Sequence, residues 1–494
     1  MQIKNFDGIK SIFFDNVSIK QTIFKNSFWL GVASGVIKLL KFILFIYVAR
    51  ILGATEYGKF TFAFSFIGLF IIFADLGLSQ IVTREFAREK EKEKEFSAIL
   101  SLKILLSLGT LILILVGSFF TVSDPLIQRI ILILAVCLLV GNFSGMIFSF
   151  LQARQKMEYQ SFASILEALL VTGAGLFILF YFPSVQNLSY SYLFAALITL
   201  IFVLFFFHFK IQKLSFSWNK SIWQRFLLMS WPLALAGMAG SICNQTDSVM
   251  LGYFGQITQT GWYNAAYRII GAVLIPMGLI SASIFPVLSK SFGETKEKLQ
   301  KIWDYYMELM IFFAIPLVIG GIVLAPKIID FIYGPSYTPS VLAFQILIIM
   351  AGIIFLYYPF YQILVVFNRQ KRTFWAILAG AIINVILNWI LIPKFSLYGA
   401  AVATVITQIL ILFLLFKFTV KFTTVKPINF KLLSNFILAF LSGFTMWLVI
   451  SRSQIYNLHI LFPVLIGILV YFIALFVLKY MAKLFNISYE NEKI

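Results

Sequence analysis

The amino-acid sequence predicts an all-α membrane protein of about 14 transmembrane helices. Three observations predict it: an apolar composition, the recurrence of long apolar runs, and basic residues that gather between those runs. Of 494 residues, 61% are hydrophobic and 12% charged, 56 are Phe, and the mean hydropathy is +0.95, so water cannot be the main solvent. A hydrocarbon layer of roughly 30 Å needs about 20 apolar residues per helical crossing. In lipid every backbone polar group must be satisfied internally, which leaves helices and closed barrels. A barrel would alternate apolar and polar residues along each strand, whereas Leu105 to Phe120 is a nearly continuous apolar run.

The spans fall at 26–51, 60–82, 97–120, 127–151, 159–182 and 190–211, then at 224–251, 263–288, 300–325, 338–363, 374–393 and 398–421, with a last pair at 431–450 and 460–482. The run from Asn26 continues far beyond a signal-peptide core and reads as the first span. Residues 1–25 mix Ile9, Ile12, Phe13 and Phe14 with Lys and Asp, which suits either an amphipathic helix on the cytoplasmic leaflet or a frayed tail. Arg84 to Glu95, REFAREKEKEKE, reads as a solvated helical extension. Cys137 and Cys243 both sit in apolar segments, as small buried residues do.

A net charge of +19 in a soluble chain would suggest a nucleic-acid partner. Here 29 basic residues lie in segments on the side of the N-terminus, six on the other side and four within spans, the bias expected of cytoplasmic loops. No nucleic acid is needed, and both termini are placed in the cytoplasm.

A shift of 203 along the chain aligns Ser27 with Ser230, Leu30 with Leu233, Gly58 with Gly261, Ala63 with Ala266 and Gly68 with Gly271. A shift of 215 aligns Arg154-Gln155-Lys156 with Arg369-Gln370-Lys371. These matches predict two six-helix lobes, 26–211 and 224–421, joined by a loop at 212–223. An even number of spans separates the partners, so the repeat is parallel, with its pseudo-twofold along the membrane normal. Residues 422–494, the last two spans and a cytoplasmic tail, fall outside it.

Charges inside a membrane are costly, about 2.5 to 3.5 kcal/mol at the centre of a span, so each is a candidate for function. Lys38 and Lys41, three apart, share one face of the first span. Two ammonium groups there suit a diphosphate, or else a structural carboxylate partner. The repeat sets Asn244 opposite Lys41, and Asp247 follows one turn on, within Asn244-Gln245-Thr246-Asp247-Ser248. Asp247 is a candidate for carrying a coupling ion or for pairing with Arg268, the second being preferred. Glu167 suits ion coupling or neutralisation of the two lysines. Asp75 and Arg84 suit a gate or an ion pair at the inner end of span two. Lys103, Asp304, Glu308 and His208 read as interfacial anchors, and Asn384 with Asn388 as interhelical hydrogen-bonding groups. No His or Cys ligand cluster, phosphate-cradling loop or large soluble domain is present, so the sequence implies neither an enzyme nor a cofactor or metal.

VARILGATEYGKFTFAFSF (Val48 to Phe66) and ADLGLSQIVTREFAR (Ala74 to Arg88) resemble the polysaccharide exporters and O-antigen-type flippases of the multidrug/oligosaccharidyl-lipid/polysaccharide superfamily. So do Asp247 to Tyr253, Gly261 to Arg268, Phe285-Pro286 and Asn384 to Thr404. The resemblance implies a flippase for polyprenyl-diphosphate-linked oligosaccharide in a bacterial inner membrane, working by alternating access between two lobes and driven by an ion gradient. Lys38, Lys41 and Arg268 fit the implied cavity by position; Asn244 joins them as a candidate from the repeat, and Asp247, Glu167 and Asp75 are the candidates for coupling or charge pairing. Partners on this reading are the lipid-linked oligosaccharide, membrane lipids and glycan polymerase or ligase enzymes. The alternatives are a lipid-linked peptidoglycan precursor flippase, a cation-coupled multidrug exporter and, in another class, a non-transporting scaffold for glycan assembly.

Overall fold

The computed structural model of the chain describes residues 14–211, 213 and 215–491. Most of the proposed amphipathic stretch, Ile9 to Phe13, lies outside them. The protein is an all-α integral multi-pass membrane protein with 12 to 14 long apolar helices. Two helices, α1 (Ile19–Phe70) and α12 (Gln370–Phe422), have 52 and 53 residues. At 1.5 Å per residue each is about 80 Å long if straight, far more than a bilayer. Both instead fold back. α1 breaks at Gly53 (φ 75, ψ 174), a backbone conformation open to glycine, and Phe45 then meets Tyr57 and Phe60, with ring centroids 6.4 and 6.1 Å apart. α12 breaks at Ser396, and Gly399 lies so close to Leu391 that a Cβ there would be 2.4 Å from its carbonyl oxygen.

The chain forms two compact units, Met1–Tyr253 and Phe254–Ile494. In the first, α1 leads through a 3-10 turn (Ile71–Ala74) into α2 (Leu78–Arg88), followed by α3 (Phe96–Thr121), α4 (Pro125–Ala153), α5 (Met157–Tyr181), α6 (Val185–Lys210) and α7 (Lys220–Tyr253). Asp124 caps α4 ahead of Pro125, and Ser184 caps α6. Phe86, Phe96, Phe150 and Phe207 pack ring against ring in the core of this unit.

The unit boundary lies one helix later than the boundary taken from the repeat. The reason is close packing of α7 on the first unit: Gly252 seats Phe62, Gly68 seats Gln245, and Gly77 seats Leu233. The run Arg84 to Glu95 is not the solvated helix expected of it. The helix stops at Glu89, whose backbone is extended, and Glu93 and Glu95 pair with Arg154 and Arg225. Arg154 and Arg225 thus take up two carboxylates of the run, while Arg88, Glu89, Glu91 and Lys94 stay exposed.

The second unit holds α8 (Ile257–Val273), α9 (Ile275–Ser291), α10 (Lys296–Tyr333), α11 (Ser340–Val366), α12, α13 (Phe430–Ile450), the short α14 (Ser453–Tyr456) and α15 (Leu461–Asn491). The appended helices share its core: Met446, Ile450, Tyr471 and Leu475 belong to the same cluster as Trp303 and Phe360.

Local backbone features recur between the units. The second span of each half is interrupted, at Ile71 and at Leu274, and the first of the two sequence shifts carries one position onto the other. α4 and α11 end in the same left-handed cap, with Gln155 at φ 58 and Asn368 at φ 56. The amide of Lys156 donates to the carbonyl of Leu151 (2.9 Å), as that of Arg369 does to Leu364 (2.7 Å). In these caps Gln155 corresponds to Asn368 and not to Gln370, so the Arg-Gln-Lys match is out of structural register.

Candidate functional site

Of the sequence candidates of the first unit, Lys38, Lys41 and Glu167 lie on or beside the first arm of α1. Lys38 and Lys41 are both exposed on that arm, and among the described residues neither has an ion-pair partner within 4 Å. α5 packs along α1 and brings Glu167, partly buried, within electrostatic reach of Lys41, beside the buried Cys137 of α4. The arrangement can hold an anionic group at the lysines with a carboxylate near enough to compensate them when they are empty.

The polar run on α7 divides between two environments. Asn244 is exposed, whereas Thr246, Asp247 and Ser248 are buried. Gln245 packs over Gly68 of the second arm of α1, so protein rather than lipid receives this stretch. In the second unit Arg268 is partly buried on α8. Asn388 donates to Asn384 within α12 at 3.1 Å, both being buried, so this bond lies along one helix where an interhelical one was expected.

Asp75 does not pair with Arg84. Its Oδ1 is bound by the ammonium of Lys103 on α3 and accepts the Ser79 hydroxyl at 2.6 Å, while Lys103 also donates to Asn142 Oδ1 on α4 at 2.9 Å. Lys103 is 0% exposed, which corrects its reading as an interfacial anchor. Its place near the start of α3 suggested reach to the headgroups, but the break in span two puts a carboxylate beside it first. Arg84 pairs instead with its neighbour Glu85. Glu85 also pairs with Lys92, whose hydrogen bond, ahead of that of Arg84, holds the Glu85 carboxyl below its ordinary value of 4.5 against the opposing effect of burial. Glu308 and Asp304 likewise have protein partners: Glu308 binds Lys479 of α15, and Asp304 accepts from Asn429 at 2.8 Å.

Two polar clusters escaped the sequence reading. Lys25, counted among the cytoplasmic charges, is fully buried in an ion pair with Glu158 (2.9 Å) and donates to Asn16 and to the carbonyl of Gln155. In the second unit Tyr306 of α10 donates to Ser281 of α9 (2.7 Å) and lies 3.0 Å from Gln362 Oε1 of α11. Nothing local marks these residues; Tyr306 takes the place of Lys103 under the first sequence shift, a repeat relation visible in the numbering alone. Among the described residues, no three His, Cys, Asp or Glu side chains converge as metal ligands.

Comparison with known proteins gives this geometry a family setting. Residues 23–292 match the family model described as polysaccharide biosynthesis protein, and residues 232–390 match that described as MatE. The chain is 24% identical to the probable low-salt glycan biosynthesis flippase Agl15 of Haloferax volcanii over 372 residues, 74% of this chain and 77% of that one. It is 24% identical over 417 residues to the putative O-antigen transporter of Escherichia coli strain K12, covering 81% and 97% of the two chains. Among solved structures, the lipid II flippase MurJ in an inward closed conformation superposes with a TM-score of 0.76 at 19% identity, covering 90% of this chain and 97% of that one. An inward-facing multidrug resistance MATE family transporter of the MOP superfamily gives a TM-score of 0.63 at 16% identity, covering 85% and 96%. These likenesses identify the fold.

Proposed function

Because the chain belongs to the polysaccharide biosynthesis protein family, a family of transporters and not of enzymes, we propose that it flips lipid-linked oligosaccharide from the cytoplasmic to the outer leaflet of a bacterial inner membrane. The substrate's polyprenyl tail stays in hydrocarbon while its diphosphate and sugars cross. The observation that carries the reading is the pair Lys38 and Lys41: two exposed ammonium groups on one face of a membrane helix, with no ion-pair partner within 4 Å among the described residues. A diphosphate leaving the headgroup layer must be neutralised, and two lysines one turn apart supply the charge and several N–H donors. Asn244 adds amide donors on α7, Glu167 offsets Lys41 between cycles, and Arg268 is the cavity candidate of the second unit.

On this reading the chain crosses the membrane 14 times, with the hairpins of α1 and α12 supplying two crossings each. The termini are cytoplasmic, and alternating access comes from rocking of the two repeated halves, energised by an ion gradient through Asp247, Glu167 or Asp75. Polymerase or ligase enzymes in the same membrane take up the flipped units.

The test is the Lys38→Ala, Lys41→Ala double variant in a strain lacking the chromosomal copy. We expect surface glycan to fall at least about tenfold, the equivalent of about 1.4 kcal/mol of transport barrier, with unchanged protein in the membrane. Undiminished glycan would remove the lysines from the substrate path. The fold likeness to a lipid II flippase supports a second reading, transport of a lipid-linked peptidoglycan precursor. Rescue of growth in a strain depleted of its own lipid II flippase would favour it over the first.

A further inference from the structure

The cluster of Asp75, Lys103 and Asn142 sits at a mechanical weak point. Span two is interrupted there: the 3-10 turn Ile71–Ala74 ends at Asp75, and Leu76 (φ 47) and Gly77 (φ 76) both take left-handed backbone before α2 begins. A left-handed conformation is unfavourable for a leucine, so the surrounding structure must hold it. Directly opposite, α7 carries Pro232, which removes a helical hydrogen bond. The two weak points are fitted together. A Cβ on Gly77 would lie 2.9 Å from Leu233 Cβ and 3.1 Å from the carbonyl of Ser230, and Ser230 is itself fully buried. The joint between spans two and seven therefore closes tightly, and the one charged group on the break itself is Asp75.

The two ends of the charge pair differ in access. Asp75 is 21% exposed and Lys103 is sealed, so a proton from outside reaches the carboxylate first. The buried Asn142 Nδ2 has no hydrogen-bond acceptor among the described residues, leaving an unused donor beside the pair. The equivalent tie in the second unit, Tyr306 with Ser281 and Gln362, joins the corresponding three helices with neutral groups. Holding such helices together therefore does not by itself require charge.

We propose that Asp75, Lys103 and Asn142 form a proton-operated clamp on the joint between spans two and seven. With Asp75 ionised, the pair is neutral overall and the joint is shut. One proton added to the Asp75 carboxylate makes it a neutral acid and leaves the Lys103 ammonium uncompensated, a state a sealed site cannot hold. The joint then opens to hydrate the ammonium. Among the described residues no other charge pairs with either group. On the packed helices Arg84 and Glu85 pair with each other, Arg154 with Glu93, Arg225 with Glu95 and Lys59 with Glu56. Lys38, Lys41, Arg50, Arg88, Arg129 and Asp247 are among the further charges on those helices. The inference rests on the reading of the chain as a transporter, and not on its substrate.

The experiment reads the joint directly. In the full chain with Cys137→Ala and Cys243→Ala, a reporter Ser230→Cys is placed under Gly77, and its maleimide alkylation rate is divided by the rate in denaturing detergent at the same pH. The expected ratio rises about fivefold or more as the pH is lowered from about 7 to about 4, the lower end being where an ordinary aspartate carboxylate gains a proton. Asp75→Asn should give a high ratio at every pH, and Tyr306→Phe should leave the parent profile unchanged. If Ser230→Cys does not fold, Ala234→Cys, buried against Gly77, reports the same joint; if Asp75→Asn does not, the charge-free Asp75→Leu, Lys103→Met pair should give a flat profile. A flat profile in the parent, or a pH dependence that survives removal of the Asp75 charge, would overturn the clamp. Neither readout needs substrate, so a failure of the clamp is separable from undiminished glycan in the lysine double variant.

Discussion

The two units tie their second, third and fourth helices together at corresponding places, but with different chemistry. In the first unit the tie is an ion pair, Asp75 with Lys103, supported by Asn142; in the second it is neutral, Tyr306 with Ser281 and Gln362. Lys103 and Tyr306 are related by the same shift as the two interrupted spans. A neutral tie needs only its hydrogen bonds satisfied, and each is worth about 1 kcal/mol net. A sealed ion pair places two charges in a medium that tolerates neither alone, so it responds to a single proton as the neutral tie cannot. The difference assigns a static role to the second tie and a switchable one to the first.

The sharpest way to break this comparison is to remove one charge. Asp75→Ala should strand the Lys103 ammonium and lower stability by about 3–5 kcal/mol, whereas Asp75→Leu with Lys103→Met should be nearly neutral. Thermal unfolding of the purified variants measures both, and additive losses would mean the two groups do not act as a pair. Tyr306→Phe should cost less, about 1–3 kcal/mol, because it leaves Ser281 and Gln362 short of a partner but strands no charge. A loss as large as that of Asp75→Ala would erase the distinction between the units.

The smallest effect comes from the charged stretch between α2 and α3 of the first unit. Glu85 is held ionised chiefly by Lys92, so its folded value lies below 4.5. Its contribution to stability is then fully present above that ordinary value and is lost as the pH falls through the depressed one. Unfolding midpoints compared below about pH 4.5 should show Glu85→Gln less sensitive to acid than the parent. Equal sensitivity would place the acid response elsewhere.

Much of the fold was legible without coordinates. Apolar runs marked the helices because each span must satisfy its own backbone in lipid, a local requirement that leaves a local record. The hairpin turns are legible in part: Gly53 is a glycine where left-handed backbone is needed, but Ser396 does the same work with no glycine to announce it. The Arg-Gln-Lys match followed side chains, while the like caps at Gln155 and Asn368 are set by backbone hydrogen bonds, so the two do not share a register.

The candidate site divides in the same way. Lys38 and Lys41 were proposed from depth and spacing alone, because position along a helix fixes both. Lys103 was misread and the burial of Lys25 was not foreseen, for depth says nothing of what stands opposite. Lys25 meets Glu158, far along the chain, and Lys103 meets a carboxylate that only a broken helix could bring to it. The sequence by itself determined the solvent of this protein, its helices and its family, since these follow from local hydropathy and short motifs. The tertiary structure alone decided which buried charges meet, because in a low dielectric the energy of a charge depends on partners supplied by other helices.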